Sequence, residues 1–151
     1  MAQLKVNLEN PASRVFPLKE AIRTAKNKLS VAFYENADVA TIIHEYSNFI
    51  YEVLGFAWDE FKWIENDKSW RKSRISLLAV GGFGRKELLP HSDIDILILL
   101  ERDDLHLNKD NIQSFVTLLW DVGLNVGHSV RSLRDCKREA LSDVTSLTSM
   151  T

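Results

Sequence analysis

Residues 75–100 read ISLLAVGGFGRKELLPHSDIDILILL, and this stretch decides the fold. The apolar run 75–80 is long enough for a strand and too short for a helix, and it ends at Gly81-Gly82-Phe83-Gly84, which breaks regular structure. The second run, 93–100, is β-branched and apolar after an acidic start, which predicts a strand buried on both faces. We therefore expect two strands separated by a glycine turn and a polar link.

Helical patterns lie on the N-terminal and C-terminal sides of this stretch. Apolar residues recur at helical spacing over 39–64 and again over 112–120, which predicts two amphipathic helices. Another helix is expected over 17–30, because its first residue is a proline, which suits a first turn, and good helix formers follow. Residues 1–16 show no periodicity and are expected to form a loose leader. The polar and basic tract 66–74 predicts a loop.

The chain after the second strand predicts one more strand and one more helix. Residues 124–130 form a third short strand candidate, and Ser132-Leu133-Arg134-Asp135 has the pattern of a capping box that opens a final helix. We therefore expect an α/β (α+β) fold in which helices flank a small mixed sheet. We divide the chain into a leader and helical region, 1–74, and a core, 75–151.

The composition is that of a globular domain, with 45% hydrophobic and 26% charged residues among 151. A net charge of −2 provides no overall field for nucleic acid or an anionic membrane. The single cysteine, Cys136, excludes an internal disulfide and a cysteine-cluster zinc site. No signal-peptide core and no apolar run of about 20 residues is present. The sequence therefore predicts a cytoplasmic protein with no membrane partner.

Three tryptophans lie near a group of lysines and arginines, an arrangement that also occurs on nucleic-acid-binding surfaces. They are Trp58, Trp63 and Trp70. Trp58 and Trp63 lie on or beside the apolar stripe of the predicted helix 39–64, and this position favours packing. We therefore expect no nucleic-acid partner.

Asp93 and Asp95 are the first candidates for chemistry. Residues i and i+2 of a strand point to the same face, so the two carboxylates project together. Two adjacent negative charges repel each other, and a hard divalent cation such as Mg²⁺ removes the conflict. The alternative is a solvated strand end that needs no metal, and the aspartates alone do not decide between the two.

The glycine turn adds a second signal. Gly81-Gly82 at the end of a strand lets backbone N–H groups approach a phosphate, and Arg85 supplies a planar fork for phosphate oxygens. The alternative is a tight turn that needs only a positive φ. A P-loop is excluded because no Gly-Lys-Ser/Thr follows, and a dinucleotide fingerprint is excluded because the third glycine is missing.

In order and spacing, the glycine turn and the paired aspartates resemble the signature of the DNA polymerase β-like nucleotidyltransferases. The longer string 79–95 is similar to the family of bifunctional uridylyltransferase/uridylyl-removing enzymes that modify the nitrogen regulatory protein PII. Blocks 119–131 and 136–151 also resemble that family, so that the resemblance covers about half of the chain. It implies a polymerase β-like nucleotidyltransferase fold, with the chain as an N-terminal piece of such an enzyme.

The resemblance also implies roles for individual residues. Asp93 and Asp95 would hold two Mg²⁺ ions, with Mn²⁺ as a possible substitute, and would be the catalytic residues. Gly81, Gly82 and Ser92 would contact the triphosphate, and Arg85 would lie near it. The implied reaction transfers UMP from UTP to a tyrosine of PII and releases pyrophosphate.

Several alternatives remain open at this stage. The chain could be a nucleotidyltransferase with another donor or acceptor, such as a small molecule or RNA, or a non-catalytic regulatory domain of the same fold. The third strand candidate contains no acid, so the general base is unassigned; for both Asp121 and His128 we favour a structural role.

The sequence shows no third acid, no evident nucleobase pocket and no obvious surface for PII, so we expect the isolated chain to be weakly active or inactive. No histidine is followed by aspartate, so the uridylyl-removing part that the resemblance implies is expected to be missing from these residues. The chain also carries no stop signal at Thr151, and we expect it to continue in its parent.

Overall fold

The computed structural model describes residues 11–35, 38–64, 74–89 and 91–149. Helices and strands follow one another in a mixed α/β order, which confirms the predicted fold class. The elements are α1 Pro11–Tyr34, α2 Val39–Asp59, β1 Ile75–Ala79, α3 Gly81–Gly84, β2 Ile94–Leu100, α4 Leu105–Asp121, β3 Val126–Ser132 and α5 Leu133–Ser149.

The three strands form one mixed sheet in the order β1-β2-β3. β1 pairs antiparallel with β2, and β2 pairs parallel with β3, with Asp95 opposite Gly127. A parallel pair needs a crossover connection, and α4 supplies it. Ile96 and Ile98 of β2 face the hydrophobic core and are buried, whereas Leu97 on the other face is half-buried. The prediction that β2 is buried on both faces was therefore wrong, because the helices supply apolar side chains to the core on one face.

Several helix boundaries differ from the expected ones; α1 ends at Tyr34 and not near residue 30, and α4 begins at Leu105 and not near residue 112. α1 begins at Pro11, so residues 11–16 are helical, and the prediction of a loose leader was wrong for them. Residues 1–10 of that leader lie outside the described residues. Pro11 occupies the first turn that was assigned to Pro17, which lies inside the helix. α2 ends at Asp59 and not near residue 64.

The chain after α2 folds back on the helix, and this explains its early end. The ring of Trp63 stacks on that of Trp58, with centroids 3.9 Å apart, and its Nε1–H donates to the Trp58 carbonyl oxygen. The Asn108 side chain of α4 accepts from the Ile64 N–H and donates to the Ile64 carbonyl oxygen. The packing role expected for Trp58 and Trp63 is confirmed, whereas Trp70 and most of the loop predicted over 66–74 lie outside the described residues.

One hydrophobic core runs through the helices and the sheet. It includes Leu18 of α1, Ile50 of α2, Ile98 of β2 and Phe115 of α4, all buried. This core contains residues from both sides of the predicted domain boundary between residues 74 and 75. The division of the chain at that boundary stays a prediction. A buried hydroxyl also links α2 to the segment after α3 by a hydrogen bond. Ser47 Oγ donates to the Ile43 carbonyl oxygen and accepts from the Leu88 N–H.

The C-terminal elements follow the sequence pattern closely. β3 begins at Val126, two residues later than the run 124–130 suggested, and α5 follows it directly. The predicted capping box is present, because the Ser132 N–H donates to Asp135 Oδ2 and the Asp135 N–H donates to Ser132 Oγ. Among the described residues, no helix combines the length and the apolar character needed to cross a bilayer.

Candidate phosphate and metal site

A cavity of about 390 Å³ lies beside α3 and the start of β2. Four of the residues singled out in the sequence line it together, namely Gly82, Ser92, Asp93 and Asp95. The other lining residues are Phe83, Glu87, Leu88 and His91. The structure therefore brings the two parts of the motif, the glycine turn and the paired aspartates, to one cavity that we call the phosphate cavity.

β1 ends at Ala79, directly before the glycine turn, which confirms that the glycines end the strand; Gly81–Gly84 then form a single helical turn. The Phe83 side chain is buried and packs on the Tyr51 ring with centroids 4.5 Å apart. The backbone of Gly81 is in the left-handed region, with φ of 60°. A Cβ on Gly84 would lie 2.8 Å from the Ala79 carbonyl oxygen, so only glycine allows this close approach.

The carboxylate of Asp95 lies between two glycines. A Cβ on Gly81 would be 3.1 Å from Oδ2, and a Cβ on Gly127 would be 2.8 Å from Oδ1. The backbone is fixed as well, because the Val80 N–H donates to the Asp95 carbonyl oxygen at 3.0 Å. Gly81 does not line the phosphate cavity; its observed effect is to leave room for the carboxylate of Asp95.

Asp93 is exposed just before β2, and a residue next to β3 holds its carboxylate. The Asn125 side-chain amide donates to Asp93 Oδ1. The Asn125 carbonyl oxygen accepts from the Ile94 N–H at 2.8 Å, so the two segments are joined by backbone and side chain. Asn125 could not be identified from the sequence, because its contact with Asp93 is created by the parallel pairing of β2 and β3.

A third carboxylate lines the cavity. Glu87 follows α3, and its Oε2 accepts from Arg85 Nε at 2.8 Å in an exposed ion pair. Arg85 itself does not line the cavity, but its Nη2 lies 3.9 Å from where a Cβ on the lining residue Gly82 would be. Glu87 and His91 were missed because both lie in the polar link, where no periodic pattern marks a residue as functional.

The two residues considered as a general base lie elsewhere. His128 pairs with Ile96 in the sheet, so it belongs to the face opposite Asp95, and its ring contacts Trp120 with centroids 6.1 Å apart. Asp121 is the last residue of α4, which confirms the expected helix end. Neither residue lines the phosphate cavity.

The donor atoms fit a hard divalent cation that shares its coordination with a ligand. Asp93 and Asp95 offer exposed carboxylate oxygens, which Mg²⁺ and Mn²⁺ accept. In the part of the chain that the structure describes, no group of three or more histidine, cysteine, aspartate or glutamate residues could hold a metal by itself. Phosphate oxygens and water would complete the coordination of a bound ion, as is usual for Mg²⁺.

The chain is similar in sequence to known nucleotidyltransferases. Residues 61–138 match the family model described as a nucleotidyltransferase domain. The chain is 43% identical over 98% of its length to a bifunctional uridylyltransferase/uridylyl-removing enzyme of Pseudomonas savastanoi pv. phaseolicola, and equally to one of Pseudomonas syringae pv. syringae. Identity to the enzyme of that name from Azotobacter vinelandii is 40%. The chain spans 16% of the length of these relatives. No solved structure is a significant match.

Proposed function

The chain belongs to the nucleotidyltransferase domain family, and on this basis we propose that it carries the triphosphate and metal part of a uridylyltransferase site. In this proposal UMP passes from UTP to a tyrosine of protein PII, and pyrophosphate is released. The observation that supports it most directly is the convergence of Gly82, Ser92, Asp93 and Asp95 on the phosphate cavity.

Each part of the cavity has a role in the proposal. Asp93 and Asp95 hold Mg²⁺, with Mn²⁺ as a substitute, and Asn125 orients Asp93. Gly82 leaves space beside its backbone for phosphate oxygens, and the Ser92 hydroxyl donates to them. Arg85 is paired with Glu87, which lines the cavity, and would turn from it to reach a phosphate. A bound ion supplies charge neutralisation at the phosphates and activation of the attacking oxygen.

The proposed reaction is an in-line displacement at the α-phosphorus. The bond from the tyrosine oxygen to the α-phosphorus forms, and the bond from that phosphorus to the pyrophosphate oxygen breaks. The proton of the tyrosine hydroxyl passes to solvent water as this bond forms. The chain contributes by fixing the positions of the carboxylates and of the triphosphate, which is the main source of rate in such reactions.

The choice of UTP and PII is supported by similarity. The relatives carry the words uridylyltransferase and uridylyl-removing in their names, and the string 79–95 resembles the family that modifies PII. We also propose a cytoplasmic location, in agreement with the single cysteine. Because the described residues offer no assigned base, we propose that the isolated chain transfers UMP weakly or not at all.

Metal-dependent nucleotide binding tests the proposal. UTP is titrated by calorimetry in Mg²⁺ or Mn²⁺ into the chain and into the double variant Asp93→Asn/Asp95→Asn. We expect UTP affinity to fall about tenfold or more in the variant, because a contact to a charged group contributes roughly 1.5–3 kcal/mol. The matched control, Asp103→Asn/Asp143→Asn, removes two exposed carboxylates outside the cavity and should bind as the unchanged chain does. Equal affinities in all three proteins would contradict the assignment.

Transfer of labelled UMP to PII tests the activity itself. UTP, CTP and ATP are compared as donors, and PII is compared with RNA as the acceptor. Pyrophosphate release with ATP but not with UTP, or label on RNA and not on PII, would favour the alternative donor or acceptor. Nucleotide binding that does not depend on metal would favour the non-catalytic domain, whereas weak transfer by the isolated chain is the expected result.

A further inference from the structure

A second cavity, of about 640 Å³, adjoins the phosphate cavity. Its lining residues come from the end of α1 and from the segment before β2, and they are Ser30, Phe33, Tyr34, Leu89, His91 and Ser92. His91 and Ser92 line both cavities, so the two share a wall. The two cavities are therefore adjacent at His91 and Ser92.

The second cavity is aromatic and exposed. Phe33 is 43% exposed, Tyr34 is 88% exposed, and Leu89 is 46% exposed. Single exposed apolar residues are ordinary on a protein surface, but these three line one concave site beside a polar one. Aromatic side chains on an open surface offer flat faces on which a planar ring can stack.

Polar atoms are also present at the edge of this cavity. Ser30 Oγ donates to the Lys26 carbonyl oxygen at 3.1 Å, and its lone pairs can accept from a ligand. The Tyr34 hydroxyl, the His91 ring and the Ser92 hydroxyl are further hydrogen-bonding groups of the lining. The set suits a ligand with a flat ring, polar ring edges and a negatively charged tail that extends toward Ser92.

We propose that the second cavity is the nucleobase subsite for the nucleoside triphosphate of the proposed function, on which this inference rests. The base lies against Phe33 and Tyr34, the ribose passes His91, and the phosphates lie beside Gly82 and Ser92. The sequence shows no such pocket because Tyr34 and His91 are far apart along the chain and meet only in the fold. Stacking is tolerant of base identity, so this subsite distinguishes nucleotides from bare phosphates better than it distinguishes UTP from CTP or ATP.

Two probes separate the base subsite from the phosphate cavity. UTP and inorganic tripolyphosphate are each titrated with Mg²⁺ into the chain and into Phe33→Ala and Tyr34→Ala. We expect the Kd for UTP to rise about fivefold or more in each variant, as for the loss of a base-stacking ring. The Kd for tripolyphosphate should stay unchanged, because that probe has no ring. Tyr34→Phe keeps the flat face and should bind UTP nearly as the unchanged chain does.

Phe16→Ala is the matched control, because Phe16 is 69% exposed on the same helix and lines neither cavity. Unchanged UTP affinity in Phe33→Ala and Tyr34→Ala, with normal tripolyphosphate binding, overturns the subsite and leaves the proposed function standing. That result would be expected if the cavity held the aromatic ring of an acceptor. Equal weakening of both probes also overturns it, because the residues would then act through the fold. If the unchanged chain binds neither probe, the proposed function fails, and this inference fails with it.

Discussion

Asp95 lies directly against Gly127, so that a Cβ on the glycine would be 2.8 Å from the carboxylate Oδ1. The parallel register of β2 and β3 places these two residues opposite each other. The smallest residue thus stands beside one of the two proposed metal ligands. β3 contributes to the site by leaving space, and this contribution would be missed in a search for polar side chains.

Gly127→Ala is expected to weaken metal-dependent UTP binding about tenfold or more while the fold persists. The new methyl group must displace the Asp95 carboxylate, which lies at the end of a rotatable side chain, so the free energy of unfolding should change by less than about 1 kcal/mol. UTP titration in Mg²⁺ and urea denaturation measure the two effects. Ser129→Ala, on the same face of β3, is the control and should alter neither quantity strongly. Unchanged metal-dependent binding in folded Gly127→Ala would show that the orientation of Asp95 is unimportant.

Gly82→Val is expected to abolish tripolyphosphate binding and to leave the chain folded. The nearest atoms to a Cβ at this position are the Glu87 carbonyl oxygen at 3.8 Å and Arg85 Nη2 at 3.9 Å, so the backbone has room for a side chain. The positive φ of the turn belongs to Gly81, and Gly82 carries no such constraint. The added isopropyl group would instead occupy the phosphate cavity. Calorimetry with tripolyphosphate and far-UV circular dichroism test the two parts of the expectation.

Gly84→Ala is the comparison for Gly82→Val, because we expect it to destabilise the fold. Its methyl group would lie 2.8 Å from the Ala79 carbonyl oxygen, which belongs to a strand and cannot turn away. We expect a loss of roughly 1–3 kcal/mol in the free energy of unfolding, as for other overpacked sites. If Gly82→Val unfolds while Gly84→Ala is stable, the assignment of a phosphate role to Gly82 and a packing role to Gly84 is wrong.

Gly55→Ala is expected to stabilise the chain by about 0.5–1 kcal/mol. Gly55 is exposed inside α2, and a Cβ there would meet no atom within 4 Å. Alanine loses less backbone entropy than glycine when a helix forms, and it introduces no clash here. Urea denaturation should show a higher midpoint with an unchanged slope, and UTP binding should be unaffected. A lower midpoint would mean that the open space beside Gly55 is needed by the folded chain.

The capping box predicts a dependence of stability on pH. The Ser132 hydroxyl and then the Ser132 N–H donate to Asp135 and lower the pKa of its carboxyl, with smaller contributions from Arg138 and Arg134. The folded pKa lies below the unfolded value of about 3.9, so the stabilisation is complete above that pH and disappears as the pH falls through the folded pKa. The difference in unfolding free energy between the unchanged chain and Asp135→Asn should therefore shrink between pH 7 and pH 3.

The control for this experiment is Asp143→Asn, which removes one exposed carboxylate from the same helix. It accounts for the change in the net charge of α5 without touching the cap. A difference between the unchanged chain and Asp135→Asn that is constant from pH 7 to pH 3 would contradict the role of the ionised carboxylate. The hydrogen bonds would then be equally strong with the amide.

Features that depend on local pattern could be predicted from the sequence. The apolar run of β2, the helical spacing in α4 and the capping box at Ser132 are each visible in a few neighbouring residues of the sequence. The early start of α1 could not be predicted in this way, because both Pro11 and Pro17 suit a first turn. The end of α2 depends on Trp63 folding back on Trp58, which is a tertiary contact.

The same distinction holds for the candidate site. The motif identified Gly82, Ser92, Asp93 and Asp95 as neighbours in space, and the cavity brings them together. It could not identify Asn125, whose contact depends on the register of two strands. The second cavity could not be predicted from the sequence either, because the end of α1 meets the segment before β2 only in the folded chain.

The hydrogen bond from the Leu88 N–H to Ser47 Oγ has a consequence for any attempt to shorten the chain. The matched family region begins at residue 61, but Ser47 and Tyr51, the partners of Leu88 and Phe83, lie upstream of it. A chain that began at residue 61 would lack the Ser47 hydroxyl, which accepts from the buried Leu88 N–H. It would also lack the Tyr51 ring, on which Phe83 of α3 packs. The smallest portable unit for grafting this site onto another scaffold therefore has to include α2.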